Sequence, residues 1–294
     1  MPKTLLLTGG TGFLGSNLLK KLLSENYRIV LAKRSFSNIW RISDNISKVK
    51  FYDIDRQDLS VIFDEQKIDV ILHCATDYGR KQVNPLQIIE ANLILPLKLL
   101  QLGKERGVKY FINTDTVLDK RVNDYTLSKK QFIDWLGTYK HDLVCINMAL
   151  EHFFGPGDDK TKFVSFILDN LYNNVDKIDL TKGEQKRDFV YIDDVVSAFM
   201  VVINNLDKWR HGFFHYEVGT NQLTSIKEFV GKIKAIIGNG KTLLNFGALP
   251  YREGEVMTSS ADTTAIHLLG WSPRYDVDSG LRETIAMENK LRNI

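Results

Sequence analysis

Residues Leu5–Gly15 read LLLTGGTGFLG and join an apolar run to a glycine-rich turn. The run Thr4–Thr8 has the composition of a buried parallel strand, and Phe13–Leu23 places apolar side chains at helical spacing. Glycines between a strand and a helix allow a tight turn and a close backbone approach, while the unpaired N–H groups of the helix face an anion. The residues that this pattern predicts to bind a dinucleotide are Gly9, Gly12, Phe13, Leu14 and Gly15.

Composition excludes several classes of partner. The 294 residues include 39 basic and 36 acidic side chains, a formal charge of +3, so no polybasic surface for nucleic acid or membrane is predicted. Cys74 and Cys145 lie in apolar runs, which indicates buried free thiols. No metal site is predicted. Since the N-terminus has no signal pattern and no apolar run reaches spanning length, we expect a cytoplasmic protein.

Apolar strands alternate with helical stretches along the first half of the chain. The strands are predicted near 3–8, 28–32, 48–53, 69–74, 108–114 and 143–149. The clearest helical patterns are Pro85–Arg106 and Asp124–Tyr139. Alternation of this kind predicts an α/β fold with a Rossmann-type, doubly wound parallel sheet.

The rhythm changes after Gly155-Pro156-Gly157. A helix is predicted near 161–173, a polar loop at 181–187, a helix near 193–205 and a strand near 213–218. We therefore predict a dinucleotide-binding domain over residues 1–154, to which 188–218 returns. The remainder, 155–294, is predicted to be a smaller substrate-binding portion.

The end of the second strand bears on the choice of cofactor. In dinucleotide-binding folds an acidic residue there bonds the ribose 2′-hydroxyl of NAD, whereas arginine accommodates the 2′-phosphate of NADP. The segment Ala32–Ser37 has two cations, two hydroxyls and no carboxylate, which favours NADP over NAD. The residues predicted to bind at this end are Lys33, Arg34, Ser35 and Ser37.

Tyr125 and Lys129 form a candidate catalytic pair. Four residues apart on a helix, they share a face, so the ammonium can lower the pKa of the phenol. A tyrosine of this kind can pass a proton to or from a sugar or alcohol oxygen as hydride moves. Thr114, at the end of the fifth strand, can bond the same oxygen.

Together these motifs resemble the extended short-chain dehydrogenase/reductase family over essentially the whole chain. Further motifs that carry the resemblance are Asp53-Ile54, His73-Cys74-Ala75, Phe154-Gly155-Pro156-Gly157, Arg187-Asp188-Phe189 and Arg252-x-Gly254-Glu255. The resemblance implies that Asp53 and Ile54 flank the adenine and that Ala75 lines the ribose or nicotinamide side of the cofactor. It also implies that Lys129 bonds the nicotinamide ribose.

The same resemblance implies an enzyme that acts on nucleotide-activated sugars. Arg187 and Arg252 would bind the diphosphate, which suits the forked guanidinium. The family's 4,6-dehydratases have Thr-Asp-Glu where this chain has Thr114-Asp115-Thr116, so the glutamate base is missing. Epimerase-reductases of the GDP-fucose type have a cysteine in place of Thr116. A 4-ketoreductase or a 4-epimerase with retained NAD remains, and the predicted NADP site favours the reductase.

Within the family, the chain is similar to nucleotide-sugar 4-ketoreductases of deoxysugar biosynthesis. The segments that carry this similarity are residues 73–79, 91–100, 113–115, 150–152, 155–158 and 181–189. It implies NADPH-dependent reduction of a CDP- or dTDP-linked 4-keto-deoxyhexose for surface polysaccharide such as lipopolysaccharide. The other predicted substrate contacts are Thr76, Thr116, Glu151 and His152. Two departures, a short Thr114–Tyr125 loop and Ala149 where relatives have arginine, leave the particular sugar open.

A non-catalytic NADP-sensing regulator is the alternative from another class. Such proteins typically lose the tyrosine or the lysine, and this chain has both. The family's dimers imply that helices at 85–106 and 124–140 pair across a two-fold axis in a homodimer. The apolar stripe that fits this pairing is Leu86, Ile89, Leu93, Leu97 and Leu100. The same stripe can instead pack only on its own sheet.

Overall fold

The computed structural model describes residues 3–80 and 84–292. Its strands are β1 (Thr4–Thr8), β2 (Arg28–Lys33), β3 (Lys50–Asp53), β4 (Val70–His73), β5 (Tyr110–Thr116), β6 (Val144–Leu150), β7 (His152–Phe154), β8 (Lys177–Leu180), β9 (Lys186–Tyr191), β10 (Gly212–Val218), β11 (Leu223–Ser225) and β12 (Leu243–Phe246). Its α-helices are α1 (Phe13–Ser24), α2 (Ser60–Glu65), α3 (Pro85–Ile89), α4 (Leu95–Glu105), α5 (Asp124–Thr138), α6 (Phe163–Tyr172), α7 (Ile192–Asn204), α8 (Ile226–Ile237), α9 (Thr264–Leu268) and α10 (Val277–Arg292).

The chain divides into two compact units. The first contains the chain up to Ala149 together with Val196–Tyr216. The second contains Leu150–Val195 together with the chain from Glu217 onward.

A seven-stranded sheet in the order β3-β2-β1-β4-β5-β6-β10 forms the centre of the first unit. The pairs β2–β3, β1–β2, β1–β4 and β4–β5 are parallel. The order of the first six strands is that of a doubly wound dinucleotide-binding sheet. Strands of such sheets are covered on both faces and so consist of continuous apolar runs, as in Leu5–Leu7, which is fully buried. The predicted α/β, Rossmann-type fold is confirmed.

Helix α5 begins at a side-chain cap that fixes the position of Tyr125. Asn123 Oδ1 accepts a hydrogen bond from the Thr126 backbone N–H at 2.9 Å, and the Asn123 N–H donates to Thr126 Oγ1 at 3.2 Å. Reciprocal caps of this kind satisfy two N–H groups that a helix start otherwise leaves unpaired, and each cap contributes about 1 kcal/mol. The cap places Tyr125 in the first turn of the helix.

The predicted helix Pro85–Arg106 contains an irregularity. A π-helical turn, Glu90–Ile94, separates α3 from α4. Asn92, within this turn, is fully buried. Such turns insert one extra residue into a helix and often mark functional positions.

The same stretch, Pro85–Glu105, is long and apolar enough by composition to cross a membrane. This differs from the expectation that no apolar run reaches spanning length, because the stretch is apolar on average although it contains a few charged residues. The indication is weak, since helices that pack against a protein core pass the same test. Here Leu99 and Leu100 are fully buried in the core of the first unit.

Only part of the predicted apolar stripe on this stretch is exposed and so available for pairing with a second copy of the chain. Leu86 is 67% exposed, whereas Leu100 is fully buried. Leu93 and Leu97 pack, partly buried, against the core of their own unit. Part of the stripe therefore stabilises the sheet that it covers.

The second unit contains two small sheets. Strand β9 pairs with β7 in parallel and with β11 in antiparallel register, while β8 and β12 form a parallel pair. Aromatic rings fill the space between the three-stranded sheet and α8, since the ring centroids of Phe189 and Phe229 lie 3.7 Å apart in a stacked arrangement. Phe154 packs edge-on against both.

Candidate active site

The glycine turn after β1 has the geometry of a phosphate cradle. Gly9 has φ +67°, and a Cβ on it would lie 2.5 Å from the Ala75 backbone nitrogen. A Cβ on Gly15 would collide with the carbonyl oxygen of Gly9. In the described chain, no side chain caps the N-terminus of α1 at Gly12, so its N–H groups can bind an anion. Phe13 and Leu14 are buried beside the turn, and the five predicted residues therefore lie together. These residues fit a dinucleotide pyrophosphate.

We expect Gly9→Ala to weaken binding of the nicotinamide dinucleotide at least ~10-fold and to lower the melting temperature, because the new methyl group meets the backbone of Ala75. Gly107→Ala is the matched control, since Gly107 has a similar φ of +70° but open space around a Cβ. Both variants bear the cost of a left-handed alanine, about 1–2 kcal/mol, and only the first meets the cradle. Fluorescence titration and thermal melting measure the two effects. Equal losses in both variants would contradict a role for the close approach.

Two carboxylates from elsewhere in the chain lie next to the C-terminal end of β2. Lys33 faces Asp53 in register and forms an ion pair with it. The Ser35 backbone N–H and hydroxyl both donate to Asp55, each at 2.6 Å. The segment Ala32–Ser37 has no carboxylate of its own, but the neighbouring strand and the residues after it bring two carboxylates to this strand end. Ile54 lies alongside, with its N–H donating to the Lys33 carbonyl at 2.8 Å.

Arg34 remains available at this end. Its guanidinium carbon lies 4.7 Å from the ring centroid of Phe36, a side chain that is 70% exposed. The Arg34 backbone N–H donates to Ser37 Oγ at 3.2 Å, which closes a tight turn. Of the two predicted cations on the described turn, Lys33 is paired with Asp53, whereas Arg34 has no ion pair with a carboxylate.

Thr8 connects the glycine turn to the segment after β4. Its Oγ1 accepts hydrogen bonds from the backbone N–H groups of Cys74 and Ala75, both at 3.2 Å. The same oxygen lies 2.9 Å from His73 Nδ1. His73 is fully buried, and burial lowers its pKa well below the ordinary value. These contacts place Ala75 next to Gly9, as a cofactor-lining residue requires.

Asn92 is a site residue that sequence reasoning missed. Its Oδ1 accepts from Thr76 Oγ1 at 3.0 Å and from the Asp77 N–H at 2.8 Å. Its Nδ2 donates to the Asp77 carbonyl at 2.8 Å and to Ser128 Oγ at 3.0 Å. The available signal was a single amide among apolar residues in a helix, because a buried amide needs partners of this kind.

Thr116 and Tyr125 lie together at the end of β5. A hydrogen bond with Thr116 acts on the Tyr125 phenol, and Thr116 Oγ1 also accepts from the Leu118 N–H at 3.3 Å. Thr114 Oγ1 donates to Cys74 Sγ at 3.3 Å. The structure therefore brings Thr116 to Tyr125 and Thr114 to the segment after β4.

The electrostatics of Tyr125 differ from the expectation. Its pKa is raised well above the ordinary value, first by burial and then by Tyr78 and Asp115. The groups that lower it are the Arg80 guanidinium and the hydrogen bond with Thr116. The prediction that Lys129 lowers the pKa of Tyr125 is wrong for the protein alone, because burial of the phenol dominates.

Lys129 is a buried cation. Lys129 is only 2% exposed, and burial lowers the pKa of its ammonium to about 8. The negative charge of Asp115 acts in the other direction and raises this pKa. Among the described residues, none forms a hydrogen bond with the Lys129 ammonium. A buried ammonium without partners fits the predicted contact with a ribose hydroxyl.

One oxygen of Asp115 makes structural contacts. Its buried carboxylate accepts from Lys130 Nζ at 2.9 Å and from Asn147 Nδ2 at 3.1 Å. Lys130 Nζ also donates to the Thr116 carbonyl at 2.6 Å. Through Oδ2, Asp115 anchors α5 to β5, while its buried Oδ1 has no hydrogen-bond partner among the described residues.

Four predicted substrate residues lie in the second unit. Glu151 is buried and accepts from Ser259 Oγ at 2.7 Å, and its other oxygen lies 2.9 Å from His152 Nδ1. Arg187 Nη2 donates to Glu255 Oε1 at 2.5 Å. Arg252 is exposed at the start of the turn that Glu255 closes, where the Glu255 N–H donates to the Arg252 carbonyl at 3.1 Å. Two pairs thus form, Glu151 with His152 and Arg187 with the turn that begins at Arg252.

The fold and the first unit define a class of protein: a Rossmann-type domain with a dinucleotide cradle beside a tyrosine and a buried lysine. The profile of the NAD dependent epimerase/dehydratase family matches residues 5–219, and the chain belongs to this family. The family predicted from the motifs is confirmed.

Individual relatives span almost the whole chain. It is 34% identical to the CDP-abequose synthase of Salmonella muenchen over 97% of this chain and 98% of that protein. It is 33% identical to the CDP-abequose synthase of Salmonella typhimurium, with 95% and 96% covered. The crystal structure of a UDP-glucose 4-epimerase from Thermotoga maritima with UDP-glucose superposes with a TM-score of 0.85 at 23% identity, covering 98% and 99%, which shows the shared fold.

Proposed function

We propose that the protein reduces the C4 ketone of a nucleotide-activated 4-keto-deoxyhexose with NADPH, in deoxysugar biosynthesis for surface polysaccharide. The observation that carries the proposal is the near full-length similarity to CDP-abequose synthases. The presence of Thr114, Tyr125 and Lys129 in the first unit supports it. The nucleotide is CDP or dTDP in this proposal.

The predicted catalytic and substrate residues of the first unit each have a role in the proposed reaction. NADPH, when bound, supplies the hydride. Tyr125 donates its proton to the oxygen at C4 as negative charge develops there, and Thr114 hydrogen-bonds the same oxygen. A hydrogen bond that strengthens as charge develops lowers the barrier and does not merely tighten binding. Lys129 binds the ribose and keeps a positive charge near the phenol. Thr76 and Thr116 contact the sugar.

The cofactor residues proposed in the first unit are Gly9, Gly12, Phe13, Leu14, Gly15, Arg34, Asp53, Ile54 and Ala75. In the second unit we propose that Arg187 and Arg252 bind the diphosphate and that Glu151 and His152 contact the substrate. Glu255 holds Arg187 before substrate binds, so the diphosphate competes with this carboxylate. The proposed enzyme is a cytoplasmic homodimer without nucleic-acid or membrane partners.

A nucleotide-sugar 4-epimerase with retained NAD is the second candidate. The carboxylates of Asp53 and Asp55 at the end of β2 favour it, since negative charge there disfavours a 2′-phosphate. Arg34 favours the reductase, because a guanidinium can bind that phosphate in a fork.

Turnover of the purified protein tests the proposal. We expect consumption of NADPH with a CDP- or dTDP-linked 4-keto-6-deoxyhexose. Thermal shift with CDP-, dTDP-, UDP- and GDP-sugars ranks the nucleotides, because ligands that bind the folded state raise its apparent stability. Interconversion of C4 epimers without added cofactor, together with no NADPH consumption, would establish the epimerase instead.

Arg34→Ala separates the two cofactors. Hydrogen bonds to charged groups contribute about 1.5–3 kcal/mol, so the KM for NADPH should rise roughly 10- to 100-fold. The KM for NADH should not change. Arg106→Ala is the control, since Arg106 pairs with Asp64 at 2.7 Å, away from the strand end. An equal rise for both cofactors would contradict the assignment of Arg34 to the 2′-phosphate.

A further inference from the structure

The segment after β4, residues 76–80, is a loop held by specific hydrogen bonds. Asn92 holds both the N–H and the carbonyl of Asp77, each at 2.8 Å. Asp77 Oδ1 in turn accepts from the Gly79 N–H at 2.8 Å. Gly79 has φ +65°, and a Cβ on it would lie 2.7 Å from the Ile88 side chain, so the turn requires glycine. The backbone of the loop is therefore held in place by these contacts.

Tyr78 is the side chain that this loop places against Tyr125. The two ring centroids lie 5.0 Å apart at an angle of 41°. The guanidinium carbon of Arg80 lies 4.8 Å from the Tyr78 centroid. Tyr78 is nevertheless 37% exposed. Arg80, Tyr78 and Tyr125 thus form a stack whose middle ring remains accessible.

The position of Tyr125 determines what the accessible part of Tyr78 meets. A proton donor must lie within about 3 Å of the oxygen that it protonates. A sugar whose C4 oxygen reaches the Tyr125 hydroxyl therefore has its neighbouring carbons beside the adjacent ring.

The chemistry of the ring favours a carbon without a hydroxyl. An aromatic face offers apolar contact but no hydrogen-bond partner, and a hydroxyl that loses water there without a partner is disfavoured. Resting on the function proposed above, we propose that Tyr78 is a specificity-determining residue that packs against the deoxygenated carbon of the sugar. Arg80 holds the ring in place through a cation–π contact.

Stable product-type ligands test this inference without relying on turnover. The probes are a nucleotide-linked hexose and its 6-deoxy and 3,6-dideoxy counterparts on the base that binds best. We expect the wild type to bind a deoxy ligand at least ~10-fold more tightly than the hexose, a ratio that apolar pockets reach. Tyr78→Phe should keep this preference, and Tyr78→Ser should reduce it to within ~2-fold. Calorimetry gives the dissociation constants.

Tyr27→Ser is the matched control, since Tyr27 immediately precedes β2 and its hydroxyl donates to Asn204 Oδ1 at 2.8 Å. Melting curves verify that each variant is folded. Equal affinities in the wild type, or an unchanged preference in Tyr78→Ser, would overturn the role of Tyr78. Absence of ketone reduction by the wild type would instead overturn the proposed function, so the two failures are distinct.

Discussion

Tyr125→Phe is expected to lower kcat for ketone reduction by roughly 10²- to 10⁴-fold, the range that a positioned general acid contributes. Phenylalanine preserves the ring that packs against Tyr78 but has no proton to donate. The dissociation constants of NADPH and of the nucleotide sugar should change little. Steady-state kinetics with a 4-keto sugar nucleotide and calorimetric binding measure the two quantities.

Tyr139→Phe is the control for this variant. It removes a hydroxyl at the end of the same helix, where Tyr139 donates to Gln101 at 2.7 Å. Its kcat should match the wild type. A Tyr125→Phe enzyme that turns over at near wild-type rates would exclude the phenol as the proton donor.

Lys129→Met is expected to stabilise the cofactor-free protein at pH 7 while it impairs catalysis. Burial lowers the pKa of Lys129 from 10.5 to about 8. The unfolded chain therefore holds more protons between these values, so this group makes stability rise with pH across that window. Below pH 8 the full cost of the buried charge is present. At about 1.4 kcal/mol for each pKa unit, the variant should gain about 3 kcal/mol in the free energy of unfolding.

Urea unfolding without cofactor measures this gain, which should disappear above pH 10.5. Lys130→Met is the matched control. The Lys130 ammonium bonds Asp115 and the Thr116 carbonyl, so its removal should destabilise the protein at pH 7. A Lys129→Met variant that is less stable than the wild type at pH 7 would show that burial of the Lys129 ammonium does not destabilise the folded protein.

Local sequence carried enough information for the sheet and for the residues at its strand ends. Runs such as Leu5–Leu7 are apolar throughout because both faces of the strand are covered. In a parallel sheet, the C-terminal ends of neighbouring strands lie at one edge, so motifs placed there by sequence meet in space. Thr8 with Ala75 is one such pair.

Contacts between strands were beyond local sequence. The segment Ala32–Ser37 contains no carboxylate, yet Asp53 and Asp55 reach it because β3 pairs with β2 in a particular register. The direction of the pKa of Tyr125 depends on how deeply the phenol is buried, which helix spacing does not determine. Asn92 likewise depends on a π turn whose stability comes from tertiary hydrogen bonds.

The side-chain amide of Asn92 accepts twice and donates twice, so its hydrogen-bonding capacity is used in full. Aspartate has no donors to replace it and leucine has neither function, so no natural isostere reproduces its four bonds. The loop, the π turn and the helix that bears Tyr125 are consequently ordered as one cooperative element. Opening the loop would break the three hydrogen bonds that Asn92 makes to Thr76 and Asp77, so we expect ligands to exchange at the phenol while this loop stays in place.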